Sequence, residues 1–231
     1  MDLAKAKALV TGGSSGIGYE TARQLRLRGA QVAICGRDGA KVKRAADEIG
    51  ALGIQADVSA EAEVSRMVRS VIDAFDGYDV LINNAGFGHF ATLLETDSAA
   101  MTTIFETNVL GAMLVARESA RHFVAQSRGN IINVSSSAGR RGFAGGTAYV
   151  ASKFALSGMT ECWRAELRQH NIRVMQINPS EVQTPFFAGR ERPMSDRKLR
   201  AIEIAQTMLS MLELDDRGFI TETSVWATNP D

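Results

Sequence analysis

The sequence carries no excess of either charge: 26 Lys and Arg balance 26 Asp and Glu over 231 residues. That balance gives no electrostatic pull toward nucleic acid, a polyanion or an anionic membrane, and favours a small molecule or a protein as partner. Cysteine is scarce. Cys35 and Cys162 form no C-x-x-C pair and have no nearby histidine at a zinc-binding spacing, so neither redox chemistry nor a metal site is expected. Cys35 falls in a predicted strand and Cys162 in a predicted helix, and both are expected to be reduced, packed thiols. No apolar run approaches the roughly twenty residues of a membrane span, and "MDLAKAKALV" has an early acid and no signal-peptide core. A soluble, cytoplasmic protein is the expectation.

What is present is alternation. Short runs rich in β-branched residues ("AKALV" at 6–10, "QVAIC" at 31–35, "GIQAD" at 53–57, "DVLIN" at 79–83, "NIINVS" at 130–135, "IRVMQIN" at 172–178) are separated by helical patterns at about 17–28, 39–50, 60–76, 98–126 and 147–170. Several runs are apolar almost throughout, as strands covered on both faces must be. The pattern predicts one α/β domain over residues 1–231, a doubly wound parallel sheet with helices on both faces. The 45% hydrophobic content suits one sizeable core. "GFITETSVWATNP" can add a final strand, for about seven in all. The least regular stretch, about 185–198, is expected to be a substrate lid that extends at most to about 210.

"TGGSSGIG", Thr11 to Gly18, stands where the first strand hands over to the first helix. A helix start offers unpaired N–H groups and a positive dipole end, which together make an anion cradle. Gly12, Gly16 and Gly18 permit positive φ, close approach of a pyrophosphate and tight helix-on-sheet packing; Ser14 and Ser15 add hydroxyls, and Ile17 belongs to the same binding turn. A tight ligand-free connection is the plainer alternative, and the βαβ context argues against it. At the end of the second strand, Gly36 stands where an acid would meet the ribose of NAD, and Arg37 follows with a guanidinium suited to a 2′-phosphate. NADP(H) is therefore expected over NAD(H), unless Arg37 is a solvated loop cation partly neutralised by Asp38.

With these stretches, Asp57-Val58, "NNAG" at Asn83 to Gly86, Asn108 in "ETNVLG", "NVSSSAG" from Asn133 and "YVASK" from Tyr149 to Lys153, the chain resembles the short-chain dehydrogenases/reductases across almost its whole length. The resemblance implies a Rossmann-type fold, a nicotinamide cofactor and hydride transfer between a carbonyl and an alcohol. Tyr149 and Lys153 share a helix face at i and i+4. A free phenol, pKa about 10, is a poor acid-base catalyst at neutral pH. A nearby ammonium and the oxidised nicotinamide ring are expected to lower it.

By resemblance Tyr149 protonates the carbonyl oxygen and Ser136 hydrogen-bonds it, with a neighbouring serine, Ser135 or Ser137, as the alternative. Lys153 also contacts the nicotinamide ribose. Asn108 resembles the residue that holds a relay water; its alternative is to satisfy a local backbone group. Asp57 and Val58 would meet the adenine, Asn84, Ala85 and Gly86 would line the cofactor, with bracing of the sheet as the alternative role for Asn83, and Val182 and Thr184 would engage the carboxamide.

Two departures from the family stand out: Ser180 replaces the usual glycine after Pro179, and the tail lacks the ending of the fatty-acid-synthesis relatives. Reduction of a 3-oxoacyl thioester is the leading substrate guess, followed by small hydroxy acids, aldehydes or sugars. Candidate substrate contacts are Phe87, His89, Phe90, Arg140, Arg141, Phe143, Phe186 and Phe187, with His122 and His170 less well placed. A homodimer or homotetramer is expected, and an idle NADP-sensing protein is the rival to an enzyme.

Overall fold

Strands that are apolar on both faces need helices above and below, and the crossovers are long enough to supply them. The architecture, a computed structural model, describes residues 1–184, 186 and 195–229. In chain order it runs β1 Lys7–Thr11, α1 Gly16–Leu27, β2 Gln31–Gly36, α2 Gly39–Ile49, β3 Leu52–Gln55, α3 Glu61–Phe75 and β4 Val80–Asn83. Then come α4 Ser98–Phe105, a π-helical turn Glu106–Gly111, α5 Ala112–Ala125, β5 Gly129–Val134, α6 Thr147–Leu167 and β6 Ile172–Pro179. The chain continues through β7 Val182–Gln183, β8 Leu199–Arg200, α7 Ala201–Glu213 and β9 Glu222–Val225. Seven strands form one parallel sheet in the order β3-β2-β1-β4-β5-β6-β9, and β7 pairs with β8 beside it.

Successive residues of a strand feed opposite cores. Ala8 and Val10 pack with α1, α2 and α7, while Leu9 packs with α3 and α5. Helix α7 lies against α1 and buries Ile204, Met208 and Met211. This corrects the widest reading of the lid: residues 199–213 are a short strand paired with β7 and a core helix, because their apolar period has a groove to fill. Phe187 and most of the 185–198 stretch lie outside the described residues.

A second correction concerns Cys162. It is exposed, on the outer side of α6, while Cys35 is fully buried in β2, where burial pushes its thiol up to about 12. Helix α6 spans 21 residues and only part of its circumference meets the sheet. Residues 98–125 form the one helical stretch, among the described residues, long and apolar enough to cross a membrane. Leu114, Val115 and Phe123 of this stretch are buried in the core shared with the sheet.

His122 is a packing residue. Its ring stacks on Tyr78 at 5.3 Å, and its Nε2 accepts the Tyr78 N–H at 3.2 Å. Accepting that bond requires a neutral nitrogen, and burial holds the imidazole below its usual pKa, opposed by the Tyr78 backbone and Asp79 and aided by Arg128. A folded-state pKa below the unfolded one means the unfolded chain binds protons first as pH falls. Wild-type stability should therefore decline as pH drops through about 6.5, the unfolded imidazole value. In urea titrations between pH 8 and 5, His122→Gln should show a shallower decline. An equal slope in both proteins rejects this account of His122.

Candidate active site

The chain leaves β1 toward one edge of the sheet and β4 toward the other, so the carboxyl ends of these neighbours open a crevice at the switch point. A cleft of about 1360 Å³ occupies it. Every residue nominated above as catalytic or cofactor-binding lines this cleft except Gly18 and Asn108.

Gly18 acts from behind the lining. A Cβ there would sit 2.5 Å from Asn84 Nδ2 and closer still to the Gly12 carbonyl oxygen, so only hydrogen lets α1 approach the turn. Gly12 and Gly16 adopt φ of +63° and +57°, and a Cβ on Gly12 would press within 3.0 Å of the Ala85 backbone. The start of α1 also differs from those of α2 and α4. Asp38 and Asp97 cap α2 and α4 by accepting backbone N–H groups, whereas Ser15 caps α1 with no side-chain hydrogen bond and no acid stands in its first turn. Free N–H groups with no fixed carboxylate fit the diphosphate of a dinucleotide.

Asp38, engaged in its cap with Lys41 N at 3.0 Å, makes no ion pair with Arg37. Arg37 is exposed, lines the cleft and has no side-chain hydrogen bond or ion pair among the described residues. Lys41 joins it on the lining and was missed in the sequence. Its signal was its place in the first turn of the helix that follows Arg37.

"NNAG" divides its work. Asn83 Nδ2 donates to the Ala112 carbonyl at 2.8 Å and so braces α5 on the sheet, as one of its two readings held. Asn84 Nδ2 donates to the carbonyls of Thr11 and Gly12 at 2.9 and 3.3 Å, so its amide holds the glycine turn. Asp57 likewise accepts the Ser59 N–H and hydroxyl at 2.9 and 2.7 Å. Val182 is buried, and Thr184 would meet a Cβ on Gly16 at 3.4 Å, which places it across the cleft floor from the turn.

Ser136 ends the loop after β5; its Oγ accepts the Ala138 N–H at 3.1 Å and donates to the Pro179 carbonyl at 3.5 Å, and it pulls the Tyr149 phenol toward a lower pKa. Ser135 turns away, its hydroxyl 3.4 Å from both the Lys153 carbonyl and Ser157 Oγ. Of the three serines, Ser136 alone touches the phenol in the interactions described. Tyr149 stands in the first turn of α6, flanked edge-on by Phe90 at 5.3 Å and Phe186 at 5.6 Å. One turn on, the buried Lys153 donates to the Val134 carbonyl at 2.9 Å, its Nζ 5.8 Å from the Tyr149 ring centre.

The expected lowering of the phenol draws on the nicotinamide ring as well as the ammonium, and the chain's own environment pulls the other way. Burial pushes the Tyr149 phenol up to about 12, against the opposing pull of the Ser136 hydrogen bond. Burial instead lowers Lys153 to about 8. In a dry pocket the cost of creating phenolate exceeds what an amine this far away returns. Tyr149 is thus protonated at neutral pH.

Asn108 lies in the π-helical turn, its Nδ2 donating to Phe87 O at 2.9 Å and Ser152 Oγ at 3.1 Å while its Oδ1 accepts Phe87 N at 3.0 Å. Its amide is thus committed to the Phe87 backbone, 21 residues away, and to Ser152. Of the substrate candidates, Phe87, Phe90, Arg141, Phe143 and Phe186 line the cleft; His89 and Arg140 do not. Arg140 is tied to Glu222 of β9. Trp226, unnoticed in the tail, also lines it.

Residues 6–194 match the short chain dehydrogenase family, and the chain belongs to that family. It is 32% identical to carbonyl reductase family member 4 of Danio rerio, over 89% of this chain and 90% of that protein. Among solved structures it resembles a 3-ketoacyl-(acyl-carrier-protein) reductase from Brucella melitensis complexed with NADH (TM-score 0.91, 29% identity, 98% of each chain). A metagenomic short-chain oxidoreductase in complex with NADP gives TM-score 0.86 and 32% identity, over 99% of this chain and 100% of that one. The chain is thus an oxidoreductase with a Rossmann-type fold, and a nicotinamide dinucleotide suits its cleft.

Proposed function

We propose that this chain is an NADPH-dependent carbonyl reductase, equally an alcohol dehydrogenase in reverse. One observation carries the reading: Tyr149, Ser136 and the buried Lys153 line one cleft, which also holds the uncapped start of α1, and the Lys153 amine lies 5.8 Å from the Tyr149 ring centre. The nicotinamide cofactor supplies or accepts hydride. The chain orients the carbonyl and moves the proton. Tyr149, kept protonated by burial, gives its proton to the carbonyl oxygen, and Ser136 donates a hydrogen bond to that oxygen as charge gathers there. Lys153, fixed by Val134, faces the same space with an amine that titrates near neutrality. Asn108 holds the Phe87 backbone and so shapes the opposite wall.

Carbonyl and ketoacyl reduction, named for the relatives, both fit this geometry. Self-association belongs to the same reading, supported by an apolar surface along α4 to α6 that includes Met101, Phe105, Val109, Leu110, Met113 and Met159. Loss of NADPH absorbance against a panel of oxoacyl thioesters, aldehydes, diketones and sugar ketones tests the reaction. Tight NADPH binding with no carbonyl reduced would favour the idle sensor. For the cofactor, Arg37→Ala should weaken NADPH about twentyfold, the worth of a charge-assisted contact, and NADH far less. Equal weakening of both, measured by fluorescence titration, rejects the phosphate role.

A further inference from the structure

Beyond Tyr149 the cleft wall changes character. Phe90 and Phe186 converge over Gly88, where a Cβ would come within 2.6 Å of one ring and 2.8 Å of the other. Phe143 follows, half exposed, its ring centre 6.1 Å from that of Phe90. A body placed here meets aromatic carbon on several sides and finds little to hydrogen-bond, which selects an aryl or other bulky apolar group next to the reacting carbonyl.

On the same lining the guanidinium of Arg141 lies 4.7 Å over the ring of Trp226. Two acids of the same lining are engaged elsewhere. Glu181 accepts from Lys198 at 3.1 Å, and Glu95 is turned onto its own loop, accepting the Thr92 N–H at 3.2 Å and hydroxyl at 2.8 Å. The neighbouring Arg140 is consumed by Glu222 and by Glu161 at 4.0 Å. Arg141 has no acid partner among the described residues. An indole under one face fixes the guanidinium plane and removes water from that face, leaving the edge N–H groups in the fork that matches a carboxylate.

We propose that the substrate is an aryl or bulky apolar carbonyl compound bearing a carboxylate, which Arg141, braced by Trp226, binds while the carbonyl reaches Tyr149. The inference rests on the carbonyl-reductase reading. Its test compares 4-oxo-4-phenylbutanoate with its methyl ester, which keeps the aryl ketone and replaces the charge offered to Arg141 by a neutral ester. With NADPH the acid should be preferred in kcat/KM by about thirtyfold, and Arg141→Gln should bring the acid-to-ester ratio down to about one, as loss of a charge-assisted pair predicts.

A binding readout stands apart from turnover. In Trp163→Phe, Trp226 is the remaining indole of the chain's two, and the acid should quench its fluorescence saturably where the ester does not. An ester reduced as well as the acid, with a ratio indifferent to Arg141→Gln, overturns the carboxylate site and leaves the reductase reading standing. If neither compound nor any other carbonyl is reduced, the reductase reading falls, and the titration alone decides whether Arg141 binds carboxylate. Absence of quenching there overturns the proposal.

Discussion

Tyr149→Phe should lower kcat for carbonyl reduction by about a thousandfold, the usual worth of a positioned proton donor. The substitution removes one oxygen and leaves the ring, so the edge contacts with Phe90 and Phe186 persist and the fold is retained. What is lost is the O–H that burial keeps protonated and that Ser136 holds in place. Steady-state NADPH oxidation and a thermal melt of the same sample separate chemistry from folding. A variant that turns over within tenfold of wild type rules out Tyr149 as the donor.

Gly18→Ala should damage both the cofactor site and the fold. The added methyl meets the Gly12 carbonyl and the Asn84 amide, and that amide already bridges the carbonyls of Thr11 and Gly12. Neither neighbour is the free end of a flexible chain, so α1 must back away from the glycine turn. Overpacking of this kind costs about 2 kcal/mol of stability. Cofactor affinity should fall by about a hundredfold as the N–H cradle opens, since displacement of positioned donors forfeits charge-assisted bonds. Gly158→Ala in α6 is the control, because a Cβ there meets nothing within 4 Å. It should leave stability equal or raise it by about 0.5 kcal/mol, the helix propensity gain of alanine. Urea titration and NADPH binding of the two variants measure the contrast, and similar behaviour of the pair contradicts the steric account.

The sheet was legible because its strands are apolar on both faces and its crossovers long, and the glycine turn because its chemistry depends on local spacing. The cleft lining was legible for the same reason: the residues that meet a dinucleotide sit at strand ends, which the alternation marks. What escaped depends on distant neighbours. Trp226 reaches the site only because β9 pairs with β6 and brings the tail beside the Ser136 loop. The exposure of Cys162 depends on which sector of α6 meets the sheet, and its sequence neighbourhood does not state that. The upward shift of Tyr149 comes from burial by Phe90 and Phe186, residues far from it in sequence, whereas its i+4 partner Lys153 was visible. Asn108 was found by its motif, but its bonds to Phe87 needed the loop after β4 folded back on the π-helical turn.

The central claim, that this cleft transfers hydride to a carbonyl carbon while Tyr149 supplies the proton, has one direct test. NADPH deuterated on the transferred face of nicotinamide C4 should deliver a single deuterium to the carbinol carbon of the product, in one enantiomer, as read by NMR on a chiral ester. An alcohol free of deuterium at that carbon when either face of C4 carries the label, or no alcohol at all from enzyme that binds the cofactor, would contradict it.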